Sequence, residues 1–389
     1  MADQLAYAII TPYSLYKSRT GGILARLIAR TRLELVGARM FAPSAELVKE
    51  YAEEIVSAND PQDRRVQQLL KDYILQNLSP DPKTGRRRRV MMLLFRGEDA
   101  VRILRSVVGN LSQERRGGET IRDTYGDLIL DETGNVRYFE PAVLAPPNAE
   151  EAERKLKIWA RYSDADGGIV DNTIPYAPSD KAQRTLVLIK PDNFRFPTGR
   201  PGNVIDFFSR TGLYIVGIKL HRMSVAQAVE FYGPVRDVLR TKLKDMVAKQ
   251  SKEALDKTFG FPIPEKETKM LGDLLGPLYG DNQFDNIVRF MAGKAPSDCT
   301  PEQLESAGSE RCIALVYEGV EAVSKIRDVL GPTDPSKAPP GSIRKEFGST
   351  IMVNAAHASD SEDNARREMG IVKVDENIFR REIDSFFKK

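Results

Sequence analysis

Of the two histidines in this 389-residue chain, His221 and His357, only the second stands in a setting suited to chemistry. It lies in Asn354-Ala355-Ala356-His357-Ala358-Ser359-Asp360-Ser361, between a short apolar run (residues 351–353) and a polar, helix-like run. The pattern predicts a strand running into a helix start. Ser359, Asp360 and Ser361 each offer the short oxygen-bearing side chain that caps free N–H groups at a helix N-terminus. An imidazole at that place combines a nucleophile that titrates near neutrality with N–H groups that favour anions, which suits phosphoryl transfer. The plainer reading of the same residues is a histidine held in a polar turn. His221 ends an apolar run and reads as structural.

The elements that must position such a group follow from the rest of the chain. Its length allows two domains, or three. A net charge of +3 is too mild to imply nucleic acid as the main partner. Cys299 and Cys312 are too few for a disulfide framework and point to a reducing, cytoplasmic setting. No basic segment leads into a long apolar run at the N-terminus, so no secretory signal is expected. No apolar run nears the roughly 20 residues that cross a bilayer, so no membrane partner is expected. Arg86, Arg87, Arg88 and Arg89 form a basic run without interleaved aromatics, which reads as a solvated loop.

The chain repeats itself. Tyr7 to Pro12 matches Thr185 to Pro191, each an apolar run closed by Pro. A constant offset of 180 positions relates Gly22 to Gly202 and Gly37 to Gly217. An offset of 222 then relates Val90 to Cys312, Arg105 to Arg327 and Arg122 to Arg344. Each copy reads strand, helix, strand, helix, strand, helix, loop, strand, helix. Split βαβ units of this kind predict an α+β class with two tandem ferredoxin-like (βαββαβ) domains, each an antiparallel sheet with helices packed on it. The expected boundaries are residues 1–159, a turn-rich linker at 160–182 and residues 183–389, with insertions near 242–282 and 294–310.

The second copy resembles nucleoside diphosphate kinases. The resemblance rests on Leu188-Ile189-Lys190-Pro191-Asp192, Gly331-Pro332-Thr333-Asp334-Pro335, Pro340-Gly341-Ser342-Ile343-Arg344 and the His357 segment, in order, over essentially all of residues 184–369. The first copy resembles the family more weakly. The resemblance implies ping-pong transfer of the terminal phosphate of a nucleoside triphosphate to a nucleoside diphosphate, through a phosphorylated His357. It implies Glu368 to orient the imidazole, Ser359 beside Glu368, and Lys190, Arg327, Arg344 and Thr333 on the phosphates. Asn354 would read a ribose hydroxyl, and Tyr232 would support the phosphate end. Magnesium would arrive on the nucleotide phosphates, approached by Asp360 through water, with no direct protein ligand. Partners implied are nucleoside tri- and diphosphates, and a homo-oligomer or an intrachain pseudo-dimer.

Three departures bear on this expectation. Ala358 stands where the family usually has Gly, and Val353 where a basic residue is common. The lid region is much enlarged, and either Gln283 or Phe284 falls at the base-stacking position, with Phe284 preferred. The first copy has Thr11 for the lysine, Leu111 for the threonine and Leu144 for the histidine, although Arg105 and Arg122 survive. That copy is expected to be degenerate. The alternative for the whole chain is a non-catalytic nucleotide-binding scaffold or regulatory protein that keeps the fold.

Overall fold

Apolar runs closed by Pro become central strands. In β1 (Asp3–Ile10) every residue from Leu5 to Ile10 is buried, as expected of a strand covered on both faces. The computed structural model describes residues 3–60, 62–111 and 117–388. The further strands described are β2 (Glu34–Phe41), β3 (Val90–Glu98), β4 (Asp127–Leu130), β5 (Val136–Glu140), β6 (Val143–Leu144), β7 (Ala182–Ile189), β8 (Tyr214–His221), β9 (Cys312–Val320) and β10 (Ala356–Ala358).

One sheet has the order β2-β3-β1-β6 and another the order β8-β9-β7-β10, so both place the first strand of their set inside. β1 runs antiparallel to β3 (Tyr7 opposite Leu94) and to β6 (Ile9 opposite Leu144). β7 runs antiparallel to β9 (Leu188 opposite Ala314) and to β10 (Leu188 opposite His357). With the helices that connect the strands, this is an α+β, ferredoxin-like arrangement. Where a plain loop is predicted before Glu140, the structure has the β4–β5 hairpin. Its turn is tied by Asp131 Oδ1, which accepts from the backbone N–H groups of Thr133 and Asn135, both at 2.9 Å.

The chain divides into two compact units, Met1–Leu220 with Ile313–Lys389, and His221–Cys312. Both four-stranded sheets draw their central strands from the first unit. There, the helix Thr20–Thr31 meets the helix Arg200–Phe208 at two glycines. A Cβ on Gly21 would lie 2.5 Å from Gly202 O, and one on Gly202 would lie 2.3 Å from Ala25 N. Only glycine permits so close a backbone approach. The C-terminal helix Ile378–Phe387 adds Phe379 and Ile383 to the core around Phe41 and Trp159. The Phe379 ring meets Phe41 edge-on at 5.4 Å, and Asn377 Nδ2 donates to Ser163 Oγ at 2.7 Å.

The second unit is built on three long helices, Val225–Lys242, Lys244–Phe259 and Glu265–Ala292. The last carries Gly272, Gly276 and Gly280 on one face. Added Cβ atoms there would come within 2.8 Å of Lys244 O, 2.7 Å of Lys244 Cγ and 2.7 Å of Arg240 Cα. The insertion expected near 242–282 thus falls within a set of helices.

Candidate active site

His357 is the middle residue of β10, hydrogen-bonded beside the central strand β7. The chain reaches it through Ala355, held at φ +70, whose carbonyl accepts from the Lys190 N–H at 2.9 Å. Directly after the strand, Ser361 caps the helix Glu362–Val372 by accepting from Asn364 N–H. The cap is therefore the last of the three candidates. The helix returns Glu368, which is buried, beneath the imidazole. Glu368 Oε2 lies 2.9 Å from His357 Nε2 and accepts from Ser359 Oγ at 2.6 Å. A carboxylate oxygen there accepts the Nε2–H, and that tautomer puts the ring lone pair at Nδ1. The His357 side chain keeps 24% of its surface exposed, enough for a substrate to reach it. Ala358 has no left-handed backbone and pairs with Val187, so a methyl in place of glycine is accommodated by ordinary extended geometry.

Lys190 closes β7 and is buried beside this segment. Its Nζ donates to Asn354 Oδ1 at 2.9 Å and to the Met352 carbonyl. Burial pushes its ammonium down to about 8, with Asp192 opposing the shift and Arg344 adding to it. Asn354 is buried, and its Nδ2 donates to the carbonyls of Thr333 (3.1 Å) and Ile351 (2.8 Å). Thr333 and Arg327 are exposed, whereas Arg344 is half-buried. Arg344 donates from Nη1 to Gly331 O at 2.9 Å and from Nη2 to Ala356 O at 3.3 Å, so it braces the strand that carries the histidine. Asp360 is exposed, and the Asn364 amide holds its carboxyl below the usual range.

His357, Glu368, Ser359, Lys190, Asn354, Thr333, Arg344 and Asp360 thus sit on connected segments of one unit, and Arg327 acts on Asp360 electrostatically. Tyr232 and Phe284 lie in the other unit. Tyr232 is half-buried against Phe231. Phe284 is 2% exposed, with the Arg236 guanidinium 5.5 Å from its ring centroid. So enclosed a ring presents little free face in this structure, and the base-stacking role stays a proposal for Phe284. Its apolar neighbours in sequence, Ile287 and Val288, carried the signal for a core position. His221 ends β8, is buried, and its carbonyl accepts from Cys312 Sγ at 3.5 Å, in line with a structural role.

The residue types alone gave Asp192, Asn193 and Arg200 no role. Asn193 Nδ2 donates to Lys190 O (2.9 Å) and Ala355 O (2.7 Å). Asp192 Oδ2 accepts from the Ala355 N–H (3.3 Å) and from Arg200 Nη2 (3.2 Å). These bonds hold the left-handed Ala355 turn. Their only trace in the sequence is the Pro191-Asp192-Asn193 run directly after the lysine.

The same frame recurs where the first copy aligns. Leu144 stands at the register of His357, and Ala142, at φ +59, accepts from Thr11 N–H as Ala355 does from Lys190. Arg122 donates to Gly109 O at 2.9 Å and Val143 O at 3.0 Å, the counterparts of the Arg344 bonds. Burial, and then Arg105, push its guanidinium down to about 10. Lys155 occupies the place of Glu368 and forms a buried ion pair with Glu151 at 2.5 Å. Arg105 Nη1 lies 3.9 Å from Oδ1 of Asp60, whose side chain is 4% exposed.

Among the described residues, no group of three or more His, Cys, Asp or Glu gathers to hold a metal ion, and no helix is long and apolar enough to cross a membrane.

Comparison with known proteins bears on the family. Residues 285–378 match a family model described as nucleoside diphosphate kinase. The chain is 30% identical over 196 residues to the nucleoside diphosphate kinase of Staphylothermus marinus, which covers 50% of this chain and 96% of that relative. It is 30% identical over 199 residues to that of Anaplasma phagocytophilum, covering 51% of this chain and 99% of the relative. Among solved structures it is similar to an orthorhombic crystal form of the Aquifex aeolicus nucleoside diphosphate kinase. That likeness is 26% in sequence over 49% of this chain and 95% of the other, with a TM-score of 0.31.

Proposed function

We propose that this chain, which belongs to the nucleoside diphosphate kinase family, transfers a terminal phosphate between nucleotides through His357. The observation that carries the reading is the hydrogen-bonded series Ser359 Oγ to Glu368 to His357 Nε2. Nδ1 attacks the terminal phosphorus of a nucleoside triphosphate. The bond from that phosphorus to the bridging oxygen breaks, and its electron pair leaves with the nucleoside diphosphate. The ring keeps its Nε2–H and becomes cationic, and the Glu368 carboxylate stabilises that charge. A second nucleoside diphosphate then attacks the phosphohistidine with a terminal phosphate oxygen, and the ring returns to neutral. The carboxylate therefore acts as the aspartate of a Ser-His-Asp triad does, by fixing tautomer and orientation.

Lys190 supplies a positive charge for the transferred phosphate. Its bonds to Asn354 and Met352 O keep the ammonium at the strand end in readiness. Arg327 and Thr333 are exposed enough to meet the phosphate chain, and the buried Asn354, bonded to Lys190 Nζ, is proposed to read the ribose. Arg344 acts first as a brace, and its contact with phosphate is secondary. Magnesium would be held chiefly by the nucleotide phosphates, and the exposed Asp360 carboxylate would be available to its hydration shell. When bound, the ion neutralises phosphate charge.

The first copy is proposed to be a degenerate domain that serves structure. The shared sheet order, the glycine contact at Gly21 and Gly202 and the C-terminal helix packed on Phe41 support an intrachain pseudo-dimer. A cytoplasmic location is part of the proposal and is supported by two cysteines that are not paired with each other. The ping-pong scheme is tested by label exchange between ATP and ADP with no other nucleotide present. Exchange by wild type, with parallel double-reciprocal plots when GDP is varied, is the expected outcome. Intersecting plots without exchange would point to direct transfer and remove His357 from the scheme.

A further inference from the structure

The four consecutive arginines that precede β3 are not equivalent. Arg87 Nη1 donates to Asp166 Oδ1 at 2.8 Å and to Ala42 O at 3.2 Å. Arg89 donates to the Ile215 carbonyl and lies 5.1 Å from the Tyr214 ring centroid. Arg86 and Arg88 make no side-chain hydrogen bond or ion pair with any described residue. The alternation has the period of an extended chain, in which every second side chain shares a face. Two arginines serve the structure and two are left over.

Both of the remaining arginines line a cleft of about 280 Å³, together with Thr84, Thr173 and Asp81. Arg86 also lines an adjoining cleft of about 500 Å³, with Asp166, Asp171 and Asn172. The acidic groups of these clefts are already engaged. Asp81 Oδ1 accepts from the Lys83 and Thr84 backbone N–H groups and from Thr84 Oγ1. Asp166 holds Arg87 and accepts from Ser44 Oγ at 2.6 Å. Asp171 pairs with Arg184 at 2.5 Å. Thr173 Oγ1 is buried and has no hydrogen-bond partner among the described residues. What the cleft leaves uncommitted is therefore two guanidinium groups and one hydroxyl.

We propose that the cleft between Arg86, Arg88 and Thr173 is a binding site for a small oligophosphate anion, separate from the His357 site. Guanidinium forks match phosphate oxygens in pairs, and a hydroxyl donor completes a tetrahedral set. The cleft approaches the size of a small-molecule site and does not accommodate a duplex. Arg88 also acts on the Asp81 carboxyl through space, which tempers the positive field without closing the cleft.

The test uses the full chain and labelled tripolyphosphate in equilibrium dialysis. Wild type, Arg327→Gln, Arg86→Gln/Arg88→Gln and Arg86→Lys/Arg88→Lys are compared at fixed salt. The proposal expects one class of sites that survives Arg327→Gln and weakens at least about tenfold in the double glutamine variant, since each charge-assisted bond to a charged group contributes on that order. The double lysine variant recovers part of the binding, and phosphoryl transfer is unchanged in both double variants. Equal binding by the double glutamine variant, or loss of all binding in Arg327→Gln, would overturn it. So would an oligonucleotide whose affinity through these arginines keeps rising with length, which would assign them to nucleic acid. Should the double variant fail to fold, as judged by its denaturation midpoint, the single Arg88→Gln variant carries the same test.

Discussion

The surroundings of His357 and of Leu144 share a backbone and differ in almost every group that could act on a phosphate. Both lie on a short strand beside a central strand, after a left-handed alanine, with an arginine clamped onto two backbone carbonyls. One place holds histidine, glutamate, serine and lysine. The other holds Leu144, Lys155, Pro146 and Thr11. The clamp at Arg122 persists where no nucleophile exists. A buried arginine that donates to Gly109 O and Val143 O is a framework part, and by the same geometry so is Arg344. The surviving arginines therefore do not imply a nucleotide site in the first copy. Nor does Arg122 belong to a surface salt bridge, because it is 7% exposed. Arg105 there meets the internal carboxylate of Asp60, whereas its counterpart Arg327 is exposed.

The comparison breaks most visibly at Glu368. Glu368→Gln removes the negative charge that stabilises the imidazolium and offers the ring an amide whose NH₂ end can oppose the Nε2–H, and kcat/KM for phosphoryl transfer should fall by about 10²- to 10⁴-fold. Lys155→Gln, at the matching place, should leave transfer per folded molecule unchanged. Leu144→His in a His357→Ala background should take up no label, because a lysine rather than a glutamate waits beneath the new ring. Steady-state rates and label retention check all three.

The arginine clamps come next. Arg122→Ala strands two carbonyls, each left unsatisfied at about 1–3 kcal/mol. A lowered urea midpoint with unchanged transfer per folded molecule is expected, while Arg344→Ala should lose stability and transfer together. Gly21→Ala should destabilise by about 1–3 kcal/mol through the clash with Gly202 O. An exposed helix site would instead gain about 1 kcal/mol from the same change, so the sign of the shift reports the helix contact. The smallest effect concerns pH. Lys190 is charged below about 8 and neutral above it. The kcat/KM of wild type should therefore fall about tenfold per unit as pH rises past that value. Thr11 in the first copy contributes no such limb.

Much of this frame was legible in the chain. Apolar runs closed by Pro gave β1 and β7, and the match of the two copies also put Leu144 at the register of His357. The Ser361 cap was among three stated candidates. What was hidden depends on partners distant in sequence. Asp60 and Arg105, Lys219 and Glu376, and Phe41 and Phe379 approach only after folding, and no local pattern announces them. The close approach of Gly21 to Gly202 looks in sequence like two weak helix positions. In the enlarged region after Tyr232, Gly272, Gly276 and Gly280 look in sequence like three weak helix positions, and only the packed helices show that they admit the backbone around Arg240 and Lys244.

The most direct measurement is incubation of the full chain with γ-labelled ATP and magnesium, followed by mild acid, beside His357→Ala. Acid-labile label on wild type alone, discharged by GDP to give labelled GTP, is the result expected of a phosphohistidine intermediate. A folded wild type that binds nucleotide but takes up no label, or a His357→Ala variant that labels equally, would contradict the account.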